Sequence, residues 1–312
     1  MWGEYMTRVK FNLTLSEGEL LKHQENNIKY ITTKENRYTS IEYPMVEGKC
    51  IPVIKYDILS AYNNIIHGFS TRLGGVSKGH LSSMNLSFSR GDDRENVLEN
   101  HKRFAKACGY DSERLVFSDQ VHTTVIKKVT SEDIGKGITK ESDIIGVDGL
   151  VTNEKNIPLI TFFADCVPIY FYDPVKSVVA LAHSGWKGTV SKIGALMIET
   201  MSEEYGSRSE DIVCAIGPSI CKSCYEVSED VYEAFMRSYS EEECNELFTY
   251  KGKDKFLLDL HLACKYNLLG AGVLEEHIAM PDICTCCNSN ILFSHRATNG
   301  LRGNLAAVIM IK

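Results

Sequence analysis

LITFFADCVPIYFYDPVKSVVALAHSGWKG, residues 159–188, decides how this chain is read. It parses as strand, tight turn, strand, tight turn and the start of a helix. Leu159-Ile160-Thr161-Phe162-Phe163 and Val178-Val179-Ala180-Leu181-Ala182 are apolar runs bounded by Pro, Asp and Gly, the usual mark of buried strands. Each run leads to a metal-capable side chain, Cys166 after the first and His183 after the second. Strand ends are rigid enough to hold ligands in fixed geometry. A third donor, His122 in Asp119-Gln120-Val121-His122, comes earlier. Together His122, Cys166 and His183 offer two imidazoles and a thiolate, a set that binds zinc tetrahedrally with one position open. Water in such a position becomes acidic enough to react near neutral pH. Asp165 is the candidate to take that water's proton or to orient a ligand. A turn aspartate bonded to backbone is an equal reading of it.

The 312 residues are 44% hydrophobic and 24% charged, ordinary for a globular chain with one large core or two modest domains. A net charge of −7 argues against a broad nucleic-acid or membrane-surface footprint. No apolar run approaches the ~20 residues that span a bilayer. The amino terminus lacks a basic region followed by an apolar one, so no signal peptide is expected. The eleven cysteines therefore read as reduced thiols, core fillers or metal ligands of a cytoplasmic protein.

Residues 1–64 show short alternations, Val9-Lys10-Phe11-Asn12-Leu13 and Ile51-Pro52-Val53-Ile54, that predict strands at the edge of the body. Arg72, ahead of the Gly74-Gly75 turn, can grip an anion or simply sit on a hairpin surface. A helix is predicted over 92–109, capped by Asp92 or Asp93 and ended by Gly109, with His101 packed on its buried face. Residues 115–129 predict a strand pair around His122, and 130–146 a solvated loop. A helix following Gly188 runs to about Tyr205, and its start makes Lys187 an anion-site candidate. Ser228 and Asp259 are predicted caps of later helices, and 306–311 a final strand. No repeat or linker divides the chain, which predicts one α/β body with mixed strand directions.

Cys221-x-x-Cys224 and Cys284-x-x-Cys287 present a rival metal reading, a closed four-cysteine site. On spacing alone it outranks the dispersed set, although the step between the pairs is longer than a zinc ribbon or finger usually has.

Several motifs occur together in order: Phe69-Ser70-Thr71-Arg72, Met84-Asn85-Leu86, Gln120-Val121-His122, Asp148-Gly149-Leu150, Ala164-Asp165-Cys166, Ala182-His183-Ser184-Gly185-Trp186, Cys224-Tyr225-Glu226-Val227 and Phe293-Ser294-His295-Arg296. On these the chain resembles, over roughly 65–311, the multicopper polyphenol oxidoreductase (laccase-like) family. That family is also described as purine nucleoside phosphorylase and includes the peptidoglycan editing factor. The resemblance implies a compact α/β fold of mixed sheets flanked by helices, with a zinc-dependent domain at 65–312 and the 1–64 strands packed on it. It implies His122, Cys166 and His183 as zinc ligands, and favours them over the four cysteines, since Cys221 falls where the family commonly has glycine. It implies transferase chemistry on adenosine, inosine or methylthioadenosine with phosphate, and hydrolase chemistry as an adenosine deaminase using zinc-bound water. Arg72, Lys187 and Arg296 are then candidates for phosphate and Asn85 for a polar substrate contact. The family often has arginine where Lys187, Ala297 and Asn304 stand here, which bears on phosphate affinity. Competing expectations are an amidohydrolase editing peptidoglycan precursors at the same site and a zinc-stabilised module without turnover. A copper oxidase fits poorly, because such clusters need many histidines.

Overall fold

Alternation along two central strands dictates the layering. In Leu305–Ile311, the residues Leu305, Ala307, Ile309 and Ile311 face one core while Ala306, Val308 and Met310 face another. In Val178–Ser184, Val179 and Leu181 face that same first core, and Val178, Ala180 and Ala182 face a third. Side chains alternate across a strand, so a run that is apolar on both faces must be covered on both. Each fully buried side chain of this size contributes roughly 1.5–3 kcal/mol.

In the computed structural model, which describes residues 30–31, 39–280 and 283–312, these strands belong to two mixed sheets stacked face to face. The seven-stranded sheet runs in the spatial order Tyr30–Ile31, Thr39–Glu42, Val53–Tyr56, Ile65–Ser70, Leu305–Ile311, Leu159–Phe163, Val116–Phe117. The six-stranded sheet runs Ile278–Ala279, Val213–Ile216, Val167–Asp173, Val178–Ser184, Gly149–Thr152, Ile126–Lys128. The first core fills the space between the sheets. The helix Arg94–Cys108 covers the outside of the larger sheet through Phe104 and Ala105. The helices Ile193–Tyr205 and Leu260–Gly270 cover the outside of the smaller one through Met197, Met201 and Leu268. Helix, sheet, sheet, helix is thus the order of layers in a single compact α/β domain. No helix of the described residues is long and apolar enough to cross a membrane.

The predicted central strands and the final strand are present. Asp93 caps the helix after it by accepting from Glu95 N–H, and Asp259 caps Leu260–Gly270 by accepting from Leu262 N–H. His101 is packed in the core as predicted. Other expectations need correction. Val53–Tyr56 is interior to its sheet, since Thr39–Glu42 pairs on its far side. The Val9–Leu13 expectation lies outside the described residues. Val116–Phe117 and Ile126–Lys128 are not a pair, because each joins a different sheet. The 130–146 loop buries Asp133 and Ile144. The helix to Tyr205 is broken into Trp186–Val190 and Ile193–Tyr205 by Lys192, whose φ is 59°. Ser228 stands at its cap position but donates to Asp230 rather than capping.

Candidate metal centre

The Leu159–Phe163 strand ends in one sheet and Val167–Asp173 begins in the other, so the three residues between them must turn sharply. Asp165 takes a φ of 88°, a region non-glycine residues rarely occupy. Its carboxylate holds it there, accepting from Thr285 Oγ1 and from Arg296 N–H, both at 2.6 Å. The turn delivers the Cys166 thiol between the sheets. His183 reaches the same place by register. It is the next inward position after Val179 and Leu181 on its strand, and its ring lies 5.4 Å from that of Phe163.

His122 comes on a loop fixed at two points. The Gln120 side chain pairs with the edge of Leu159–Phe163, accepting from Phe162 N–H at 2.7 Å and donating to Phe162 O at 3.0 Å. The buried Asp148 carboxylate accepts from the backbone N–H groups of Val121, His122 and Thr123 at 2.8–3.2 Å. The other role of Asp148 is to accept from His183 Nδ1 at 2.6 Å. With Nδ1 held this way, His183 offers Nε2 to the centre, the arrangement carboxylates give to metal-binding histidines. One donor atom from each of His122, Cys166 and His183 lies within 4.8 Å of the others. Cys166 Sγ is 3.8 Å from His122 Nε2. Gly185 closes the back: a Cβ there would stand 2.7 Å from His122 Cδ2 and 3.2 Å from Cys166 Sγ.

The electrostatics favour a metal-ready thiolate. Burial pushes the Cys166 thiol up, but His183 and His122 outweigh it and bring the group down to about 6. Burial lowers His183, yet the Cys166 thiolate and Asp148 raise it to about 9. Asp148 stays below the usual carboxylate range because its hydrogen bonds outweigh its burial. A soft thiolate with two imidazoles is a zinc donor set with one position left for a fourth ligand, so the residues fit the ion.

The three donors line a cavity of about 240 Å³, and Phe88, Phe117 and Phe162 line it with them. Two arginines that sequence reasoning missed, Arg90 and Arg302, stand in its wall. Burial first, then the charge of Arg90, lowers Arg302 to about 10. Arg302 Nε is buried with no hydrogen-bond partner among the described residues. A wider depression of about 1210 Å³ beside Lys192, Glu199 and Arg208 holds no comparable donor group.

The other candidates named from sequence do not line this cavity. Arg72 donates to Ser82 O and Ser289 O at 2.9 and 2.8 Å, with its guanidinium over Phe293. Asn85 is fully buried and ties Ser87, Asp92 and Asn304 together. Arg296 donates to Cys224 O and Glu226 O, both at 2.9 Å. Lys187 is exposed, its Nζ 5.7 Å above the Trp186 ring. Backbone carbonyls occupy the two arginines. Gln120 and Asp148 could have been found, since both lie in the motifs quoted above. Arg90 and Arg302 carried no sequence signal.

Comparisons with known proteins agree with this architecture. Residues 66–312 match the family model described as multi-copper polyphenol oxidoreductase laccase. The purine nucleoside phosphorylase YlmD of Bacillus subtilis is 37% identical over 249 residues, 80% of this chain and 89% of that protein. A purine nucleoside phosphorylase of Bacteroides thetaiotaomicron is 32% identical, covering 83% of this chain and 96% of its own. The crystal structure of YlmD from Geobacillus stearothermophilus superposes with a TM-score of 0.79 at 34% identity, over 86% of this chain and 98% of that one. With most of its length matched by the family model and by such relatives, the chain belongs to the multi-copper polyphenol oxidoreductase laccase family.

Proposed function

We propose that the protein is a zinc-dependent purine nucleoside phosphorylase acting on adenosine, inosine and methylthioadenosine, with adenosine deaminase activity at the same centre. The observation that carries this reading is one cavity holding a three-donor metal set, an aromatic wall and two facing arginines. The similar proteins of Bacillus subtilis and Bacteroides thetaiotaomicron are purine nucleoside phosphorylases, which supports the phosphorolysis. In this reading residues 65–312 carry the site, and the strands Thr39–Glu42 and Val53–Tyr56 extend the body. The lack of any disulfide among the cysteines is consistent with a cytoplasmic protein.

Each part of the cavity has a task. His122, Cys166 and His183 hold zinc, and Asp148 fixes the orientation of His183 and the loop of His122. When bound, zinc supplies Lewis acidity at the cavity wall. The purine stacks on Phe88, Phe117 or Phe162, which accept a planar base through dispersion and quadrupole contacts. Arg90 and Arg302, both in the cavity wall, hold phosphate through the charge of their guanidinium groups. A phosphate oxygen then bonds to C1′ of the ribose as the C1′–N9 bond breaks. The purine leaves with the proton that hydrogen phosphate gives up, and the pentose leaves as its 1-phosphate. Asp165, bonded on both carboxylate oxygens, positions Cys166. Arg72, Asn85 and Arg296 brace the loops around it, and Lys187 adds a positive charge at the surface.

Inosine and adenosine incubated with and without phosphate test the reading, with products separated by chromatography. Hypoxanthine released from inosine only with phosphate, and abolished in Cys166→Ala, is the expected result. Untouched nucleosides, together with amino-acid release from a nucleotide-linked muramyl substrate, would replace it with the editing amidohydrolase.

A further inference from the structure

Cys221, Cys224, Cys284 and Cys287 line no part of the cavity and have no task in the proposed reaction. We infer that they form a second, closed zinc site that clamps two loops and braces the turn carrying Cys166. Their four Sγ atoms all lie within 4.8 Å of one another. Four thiolates about 2.3 Å from one zinc ion stand roughly 3.8 Å apart at tetrahedral corners. Cys224 and Cys287 approach that spacing, with Sγ atoms 3.5 Å apart.

The surrounding backbone is arranged for thiolates. Cys221 N–H and Cys287 N–H both donate to Cys284 Sγ at 3.3 Å. Amide hydrogens aimed at a sulfur favour its anion, the form that binds metal. The long sequence step between the two pairs is closed by strand-like bonding. Ser219 N–H donates to Ile283 O at 3.2 Å and Thr285 N–H to Ser219 O at 3.0 Å. That bridge lays one CxxC turn against the other. Cys221 and Cys284 are buried, Cys224 is half-buried and Cys287 caps the cluster from the surface. With four protein sulfurs no coordination position remains for substrate, which makes the site structural.

The clamp reaches the first centre through Asp165. Thr285, between Cys284 and Cys286, donates to one carboxylate oxygen of Asp165, and Arg296 N–H donates to the other. The Arg296 guanidinium in turn binds the carbonyls of Cys224 and Glu226. A zinc ion joining the two CxxC turns therefore stiffens both partners of a residue held in an unfavourable backbone conformation next to Cys166.

Metal analysis of the purified full chain, with Cys287→Ser and Cys166→Ala beside it, tests the inference. About two zinc ions per chain are expected for one closed and one open site. Cys287→Ser should lose one of them and Cys166→Ala the other. Cobalt replacement should give the intense sulfur-to-cobalt absorption of a tetrathiolate, kept in Cys166→Ala and lost in Cys287→Ser. Zinc retained by Cys166→Ala supports the second site whether or not the nucleoside reaction is found. A wild type whose only zinc disappears with Cys166→Ala would overturn the inference. So would an intact mass four hydrogens low under non-reducing conditions, which would mean two disulfides in place of metal. If Cys287→Ser does not fold, the cobalt spectrum of Cys166→Ala decides: a tetrathiolate spectrum upholds the site and its absence sinks it.

Discussion

Two clusters of soft donors flank Asp165, which precedes Cys166 in one and accepts from Thr285 beside Cys284 of the other, and they are built to opposite ends. His122, Cys166 and His183 come from a loop and two strand ends and face a cavity. Cys221, Cys224, Cys284 and Cys287 come from two turns and face one another. Three donors leave a place for a fourth ligand, while four leave none. The same ion would therefore supply chemistry in one place and stability in the other. What separates them is the count of protein donors and what lies beyond the last one, not the kind of side chain.

Exchanging the damage gives the largest effect. Cys166→Ala should drop nucleoside turnover to background while the melting temperature stays near that of the wild type. Cys287→Ser should do the reverse, lowering the melting temperature by many degrees and leaving part of the turnover, because structural zinc contributes folding energy directly. Turnover assays and thermal melts on both variants check this. If Cys287→Ser melts like the wild type and Cys166→Ala unfolds, the roles have been assigned backwards.

Acid should strip any metal held at either cluster, since such ligands must be deprotonated to bind. The fold has its own acid sensitivity, and the two must be separated. His101 is buried against the helix-side core, with its ring nitrogen Nε2 2.8 Å from Leu86 O. Burial lowers its pKa to about 4, only partly opposed by that hydrogen bond. The unfolded chain, near 6.5, takes up the proton first. Stability from this group is thus full above pH 6.5 and falls as the pH drops toward 4, by about 3 kcal/mol. His183 runs the other way in the metal-free protein. Its pKa of about 9 lies above the unfolded value, so its contribution is full below 6.5 and lost as the pH rises through 9. Urea midpoints of metal-free protein at pH 7 and 4.5 should show the acid loss, and His101→Asn should flatten it. A slope unchanged in that variant would assign the loss elsewhere, with buried His67, shifted in the same direction, the next candidate.

A smaller effect probes how the open cluster is held. Asp148 bonds His183 and three backbone amides of the His122 loop, so Asp148→Asn keeps the shape and removes the charge. Zinc affinity at that centre should fall about 10–100-fold, the usual penalty for losing a ligand's supporting partner. Competition with a chelator measures it, and the four-cysteine centre should not change. Equal loss at both centres would mean that the variant has damaged the fold.

How much of this could be read beforehand depended on whether the cause was local. Leu159–Phe163 and Val178–Ser184 are legible as strands because both faces are apolar, and His183 follows by register, whereas Cys166 is placed by the turn after Phe163. His101 is legible as packed because it falls on the apolar face of a capped helix. Nothing local says that Val116–Phe117 and Ile126–Lys128 join different sheets, since pairing partners lie far away in sequence. The four cysteines are legible as pairs, but their closure depends on the distant bridge between Ser219 and Cys284. The surroundings of Arg72 and Arg296 were illegible for the same reason. A guanidinium in a motif looks available until the carbonyls that occupy it are placed.

Arg302 is the reverse case, an arginine with no motif that the fold sets in the cavity wall, and it gives the smallest effect. One guanidinium nitrogen pairs with Asn304, while the buried Nε has no partner. Burial and the neighbouring Arg90 charge lower its pKa to about 10, so it is still charged at neutral pH. Two like charges in one cavity wall repel until an anion arrives, and the repulsion relieved adds to binding. Arg302→Gln should raise the KM for phosphate about tenfold, the equivalent of one charge-assisted hydrogen bond. The KM for inosine should stay level. Arg302→Lys should fall between, because an ammonium keeps the charge but not the planar fork. Arg72→Gln and Arg296→Gln, whose donors face carbonyls, should lower stability and leave the phosphate KM in place. If Arg296→Gln raises that KM and Arg302→Gln does not, phosphate sits beside the cysteine clamp rather than in the cavity, and the division between a reactive centre and a structural one would have to be redrawn.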